Sequence, residues 1–194
     1  GLKTIMLSHH QLFSRAAPVG VPNSIARQAA TWPDRLHGTY HTSKFFTKSK
    51  DLPGGLPEHV QPSVNTRLLS QFPPEALAGV EAWYWGHEHS SSVFEPYAGL
   101  KRGRLMGNGC IPMPKDYDIY HVNNESVSAP WGGPPQIVPN SRVGTGDHFW
   151  GLGFVTISLD KESGHARHFH VLDKTGDDGM PSWRPAGMYY EEDL

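Results

Sequence analysis

Two pairs of histidines follow apolar, strand-like stretches of this chain. Residues 81–86 read Glu-Ala-Trp-Tyr-Trp-Gly and run directly into His87 and His89, while residues 3–8 run into His9 and His10. Imidazole is a common protein ligand for divalent transition metals. A glycine before His87 lets the backbone leave regular pleating, so that both imidazoles can turn toward one point. These residue types predict metal ligation by His87 and His89 at the carboxyl end of a strand.

The elements that must position these histidines are two strands and the segment between them. Apolar residues predict a buried strand over residues 2–8 and a second strand that ends before Gly86. Residues 65–80 predict a helix that is interrupted at Pro73 and Pro74 and leads into the second strand. Strand, helix, strand is the order typical of a parallel or mixed sheet. We therefore expect the two histidine pairs to form two walls of one site.

The second half of the chain predicts further strands. Val93, Phe94 and Glu95 indicate a short strand. His168 and His170 alternate in the sequence, so on a strand they share one face of the sheet. The tail from Gly176 onward is predicted to be irregular, with a solvated acidic end.

Two stretches rich in proline and glycine predict long loops, at about residues 11–62 and 110–148. A loop of such length inside a compact domain is usually functional or mobile. The first loop follows His9 and His10 directly, so it is interpreted either as a lid or rim over the site or as a disordered insertion without a role.

Composition limits the protein class. With 194 residues, 37% hydrophobic and 19% charged, the chain is expected to be globular, and a formal charge of −2 predicts no nucleic-acid footprint. No apolar run approaches the roughly 20 residues that span a bilayer. The single cysteine, Cys110, excludes a disulfide within the chain and a multi-cysteine zinc site. Because Gly1 stands just before a core-like strand, we expect the natural beginning of the polypeptide to lie upstream.

The histidine motifs resemble those of a known family. Leu-Ser-His-His-Gln at residues 7–11, followed by Trp-Gly-His-Glu-His at residues 85–89, is similar to the last two motifs of the calcineurin-like metallophosphoesterases. In that family one strand ends in a metal-binding histidine and a later strand ends in Gly-His-x-His. Downstream, residues 103–109 resemble the strand and glycine turn that usually come next, and residues 149–160 and 165–173 resemble the closing hairpin of the family. The resemblance implies an α/β fold with a mixed sheet and long loops, namely half of a four-layer α/β/β/α sandwich. Residues 1–194 then form a single segment, the C-terminal half of the domain.

The resemblance also implies a set of site residues. His9 and His87 are expected to bind one divalent ion and His89 a second, the two ions being manganese, iron or zinc. His10 and Asn108 are candidates for contact with the phosphate of the substrate, although packing for His10 and a turn for Asn108 are alternatives. The upstream family motifs Asp-x-His, Gly-Asp-x-x-Asp and Gly-Asn-His-Asp or Glu do not occur in this sequence. The catalytic residues and the bridging aspartate are therefore expected from a missing N-terminal half, in the same parent polypeptide or in another chain.

The predicted function is metal-dependent hydrolysis of a phosphate mono- or diester. Since three neutral imidazoles provide no anionic ligand, the isolated chain is expected to bind metal weakly and to be inactive. One alternative is a non-catalytic scaffold or interaction domain of the same family type, in which the histidines bind nothing. Another is a mononuclear histidine site that is unrelated to the family.

Overall fold

The computed structural model describes most of the chain outside the first predicted loop. It covers residues 4–16, 61–62, 64–69, 71–109, 111–122, 126–127, 133–160 and 163–194. Of the loop predicted at about residues 11–62, residues 17–60 lie outside the described residues, as does Cys110. Residues 11–16 are described, and among them Leu12 and Phe13 are buried in the core.

The described elements are mainly strands. In chain order they are β1 (Thr4–Ser8), β2 (Gln61–Pro62), α1 (Thr66–Leu69), α2 (Pro74–Ala78), β3 (Val80–Trp85), β4 (Ser91–Val93), β5 (Gly103–Met106), β6 (Ser126–Val127), β7 (Leu152–Leu159), β8 (Gly164–Thr175) and β9 (Pro181–Asp193). None of the helices in the described ranges is long and apolar enough to cross a membrane.

The first sheet contains four strands in the order β1-β3-β5-β4. Strand β3 runs parallel to β1 and to β5, whereas β4 is antiparallel to β5. The register places Leu7 opposite Tyr84 and Ser8 opposite Trp85. The predicted strands at both histidine pairs are thus confirmed, and their carboxyl ends adjoin at one edge of the sheet.

Both faces of this sheet are covered, which explains the continuous apolar run of β3. Trp83 and Trp85 face a core that includes Leu12, Phe13 and Leu105. Ala82 and Tyr84 face the opposite way and pack against Ala166 and Leu194. A strand buried on both faces reads as a near-continuous hydrophobic sequence rather than an alternating one.

The second sheet is antiparallel, with the order β7-β8-β9. It packs against the first sheet through Ala166 and Leu194, and an ion pair between Arg104 on β5 and Glu192 on β9 links the two sheets. The predicted hairpin is confirmed, since β7 pairs with β8 from Leu152 to Leu159.

Two predictions about the fold are wrong. Strand residues far outnumber helix residues in the described ranges, and the elements do not form half of a four-layer α/β/β/α sandwich. The tail is not irregular but forms the 13-residue strand β9, which pairs along nearly all of β8. The predicted helix that breaks at the prolines and restarts is confirmed as two helices of 4 and 5 residues, with Pro74 and Glu75 in the first turn of α2 and Gly79 at its end.

Candidate metal centre

The turn after β1 is anchored to the turn after β3. The backbone N–H of Gly86 donates to the carbonyl of His9 at 3.2 Å, which continues the strand pairing by one step. Ser8 accepts a hydrogen bond from the buried Trp83 indole at 2.9 Å and donates to the carbonyl of His10 at 2.7 Å. The core of the sheet therefore orients the backbone that carries His9 and His10.

His87 leaves the strand through an unusual backbone conformation. Its φ is +74°, in the left-handed region that side chains other than glycine rarely adopt. The N–H of Glu88 donates to the carbonyl of Gly86 at 3.0 Å and closes the turn. Backbone strain of this kind concentrates at functional sites, where the surrounding structure maintains it. The turn directs the His87 imidazole back toward β1.

Three imidazoles converge at this edge of the sheet. Each of His9, His10 and His87 offers a ring nitrogen, and the three nitrogens lie within 4.8 Å of one another. The Nδ1 of His87 is 3.3 Å from the Nε2 of His9. His9 and His87 are exposed and His10 is half-buried, so the cluster is open to solvent. These three residues form what we call the histidine cluster.

The donor set of the histidine cluster fits a transition-metal ion. Imidazole nitrogens bind zinc at about 2.0–2.1 Å, and two such ligands in a tetrahedral arrangement are about 3.3 Å apart. The separation of 3.3 Å between His9 and His87 matches this value. The same separation also suits a hydrogen bond between two neutral imidazoles, so metal titration distinguishes the two arrangements. Within the described ranges, the cluster contains three imidazoles and no carboxylate.

His89, predicted as a ligand, lies close to the cluster but outside it. It is exposed and lines a cavity of about 250 Å³ together with His9 and His87. All three predicted ligands thus surround one cavity, while His10 takes the third position of the cluster. The assignment of His89 to a second ion stays a prediction.

Asn108, predicted to contact a phosphate, has a buried side chain. It is 3% exposed, and its Nδ2 donates to the carbonyl of Gly151 at 3.0 Å. Its neighbours Gly107 and Gly109, rather than its amide, line the cavity beside His9. The structure gives Asn108 a packing role at the start of β7, and its contact with substrate stays a prediction.

Glu88 is the site residue whose place the sequence did not reveal. Its carboxylate accepts a hydrogen bond from the Gln11 side chain at 3.2 Å and a further one from Ser14. Burial raises the pKa of Glu88 to about 7, against the lowering effect of those two hydrogen bonds and of His121. Its position between two candidate ligands was visible in the sequence, but its contacts with the segment after β1 depend on tertiary structure.

A second cavity of about 210 Å³ lies on the other side of the β3 turn. His87, Glu88 and His89 line it on one side, and residues of the segment 113–121 line it on the other.

The close approach of Gly107, which follows β5, supports this turn. A Cβ on Gly107 would lie 1.6 Å from the Glu88 carbonyl oxygen. Only glycine fits at that position without moving the turn.

The histidines of the second half have other partners. His148 contacts the buried Asp173 at 2.8 Å, and His165 contacts Asp193 at 2.9 Å. His168 is fully buried and stacks on Tyr84, at a centroid distance of 6.2 Å. These side chains belong to the second sheet and its packing rather than to the histidine cluster.

Comparisons of the chain with protein-family models, with curated proteins and with solved structures find no match. The family resemblance therefore depends on the two histidine motifs and the elements that carry them.

Proposed function

We propose that this chain supplies histidine ligands to a metal-dependent phosphoesterase, which hydrolyses a phosphate mono- or diester. The observation that carries the proposal is the convergence of His9, His10 and His87 at the adjoining carboxyl ends of two parallel strands. The motif resemblance supports phosphate-ester chemistry in particular, because both histidine motifs stand at strand ends.

The histidine cluster has the ligands for one divalent ion. His9, His10 and His87 would hold it, and His89 would hold a second ion with ligands from elsewhere. A bound divalent ion supplies Lewis acidity toward a phosphoryl oxygen and lowers the pKa of bound water. Manganese, iron and zinc remain the proposed metals, and imidazole nitrogen suits zinc and iron in particular.

The proposal includes a completing segment with acidic ligands. The cluster offers imidazole nitrogens and no anionic ligand, whereas a two-metal site needs anionic oxygen ligands to balance its charge. We place those ligands, the bridging aspartate and the catalytic residues in another segment of the parent polypeptide or in another chain. In the reaction, the oxygen of water forms a bond to phosphorus, the ester P–O bond breaks, and the alcohol leaves with a proton.

Metal binding tests the first part of the proposal. We expect isothermal titration of the chain with Zn²⁺ to detect one site, and His9→Ala to weaken it at least tenfold, which corresponds to about 1.4 kcal/mol. The control is His165→Ala, which removes a histidine from β8 and should leave zinc affinity unchanged. Equal affinity in the wild type and in His9→Ala would contradict the cluster as the metal site.

Turnover tests the second part. With Mn²⁺ and bis(4-nitrophenyl) phosphate, the isolated chain should release no nitrophenol, whereas the parent polypeptide should hydrolyse the ester and lose this activity in His87→Ala. Activity of the isolated chain that His89→Ala abolishes would overturn the predicted need for a completing segment. A parent polypeptide that binds metal but hydrolyses no phosphate ester would instead favour the non-catalytic scaffold.

A further inference from the structure

We infer that the cavity of about 210 Å³ beside the histidine turn binds the alcohol part of the phosphate ester, and that it selects a small alcohol bearing a positively charged amine. The inference rests on the proposed function, because the ester must place its phosphate at the metal-binding side of the same turn. We call this space the alcohol cavity; it lies between His87–His89 and residues 113–121.

The position of the alcohol cavity suits the non-phosphate end of a substrate. His87 and His89 line both this cavity and the neighbouring one that contains His9. The two spaces therefore lie on either side of one short turn. A phosphate held near the histidine cluster can extend its ester group past this turn into the alcohol cavity.

The size of the alcohol cavity limits the substrate class. Pockets for drug-sized ligands measure about 300–1,000 Å³, and each water in the liquid occupies about 30 Å³. A volume of about 210 Å³ is below that range and corresponds to roughly seven waters. A small alcohol fits this space.

The lining residues favour a cation. Glu88 is the acidic residue among the described residues that line the cavity, and these include no lysine or arginine. Tyr117 adds an aromatic ring, and aromatic rings bind ammonium and quaternary ammonium groups through cation–π attraction. Met113 and Ile119 provide apolar surface for methyl or methylene groups.

The wall opposite the histidine turn is held in place by its own hydrogen bonds. The Tyr117 carbonyl accepts from the Trp150 indole at 2.7 Å, and the Tyr117 ring meets the His121 ring edge to face at 5.7 Å. His121 Nδ1 lies 2.6 Å from the Asp118 carbonyl, which can only accept, so Nδ1 donates. This bond orients the His121 ring within the cavity wall.

A matched pair of alcohols tests the cavity without any phosphate. Choline and 3,3-dimethylbutanol have nearly the same shape, but only choline is charged. Nuclear magnetic resonance titration at pH 8, followed on the Met113 methyl signal, should show tighter binding of choline by about twofold to thirtyfold. Glu88→Gln and Tyr117→Leu should each bring the affinity ratio toward one. Phe154→Leu, an exposed aromatic on β7, is the control and should preserve the ratio.

The corresponding phosphate esters separate this inference from the proposed function. Phosphocholine should bind the Zn²⁺-loaded chain more tightly than 3,3-dimethylbutyl phosphate, and His9→Ala should weaken both by the same factor. If both esters bind equally and neither alcohol is preferred, the alcohol cavity is refuted while the metal site stands. If neither ester responds to Zn²⁺, the proposed function fails, and a choline preference lost in Glu88→Gln still supports the cavity. An unchanged preference in both Glu88→Gln and Tyr117→Leu also refutes the cavity.

Discussion

The backbone of His87 provides the sharpest test of the site, because one residue combines strain with ligation. A left-handed conformation costs an L-residue roughly 1–2 kcal/mol, and His87 has a φ of +74°. Glycine adopts this conformation freely, although its greater conformational entropy also stabilises the unfolded state by about 0.4–1 kcal/mol. Without metal, we therefore expect His87→Gly to be more stable than His87→Ala by about 0.5–1 kcal/mol. Both variants lose the same imidazole.

Metal binding should reverse the order of folding stability between the wild type and His87→Gly. An ion that binds only the folded state adds about 2.7 kcal/mol of stability at a concentration of 100 Kd. That gain exceeds the relief of backbone strain in His87→Gly. In chelator, the glycine variant should match or exceed the wild type, and in saturating Zn²⁺ the wild type should be the more stable protein.

The assay is urea unfolding of the three proteins in chelator and in Zn²⁺, followed by tryptophan fluorescence. Ala98 provides a control, since it also has a positive φ, of 51°, but lies outside the site. Ala98→Gly should stabilise the chain equally in chelator and in Zn²⁺. A glycine variant less stable than His87→Ala in chelator would refute the strain argument. A wild type that gains no stability from Zn²⁺ would refute ligation.

Three further predictions address the site and the packing of the sheets. Burial alone would raise the pKa of Glu192, but hydrogen bonds from Arg104, and then the His168 ring 3.7 Å away, lower it from 4.5 to about 2. The stability that this carboxylate contributes is therefore complete above pH 4.5 and is lost as the pH falls toward 2. In urea unfolding at a series of acidic pH values, the wild type should lose about 3 kcal/mol more unfolding free energy than Glu192→Gln over that range. Parallel losses in the two proteins would contradict this. Gly107→Ala should destabilise the chain by about 1–3 kcal/mol and weaken Zn²⁺ binding, because the added Cβ meets the backbone of the histidine turn. Thermal unfolding and zinc titration measure both effects. The matched control is Gly109→Ala, which should change little because its Cβ makes only an ordinary contact at 3.6 Å. His10→Ala should reduce Zn²⁺ affinity at least tenfold while His89→Ala preserves the first site; the opposite result in the same titration would assign His89 rather than His10 to that ion.

Strand ends could be predicted from local patterns. The apolar run before Gly86 and the short run before His9 were long enough to indicate strands, and the glycine marked where the second one stops. The period of a strand also accounts for the observed placement of Trp83 and Trp85 on the face opposite Tyr84. Such features depend on neighbouring residues, so a sequence read by itself reveals them.

The fold class could not be predicted in the same way. The family resemblance led to an expected α/β layer arrangement, whereas the described chain folds as packed sheets with two short helices. The strand β9 was missed because its stability comes from pairing with β8, including two register shifts at His168 and His170. Pairing between distant segments is not encoded in any local period.

By itself, the sequence determined which residue types could bind metal and that they stand where strands end. Tertiary structure alone decided that β1 and β3 are parallel neighbours, which brings the nitrogen of His9 to 3.3 Å from that of His87. It also decided that His10 joins the cluster and that Glu88 contacts Gln11. The physical reason is that residue identity and backbone bends are local properties, whereas distances between side chains 78 positions apart depend on strand order and register.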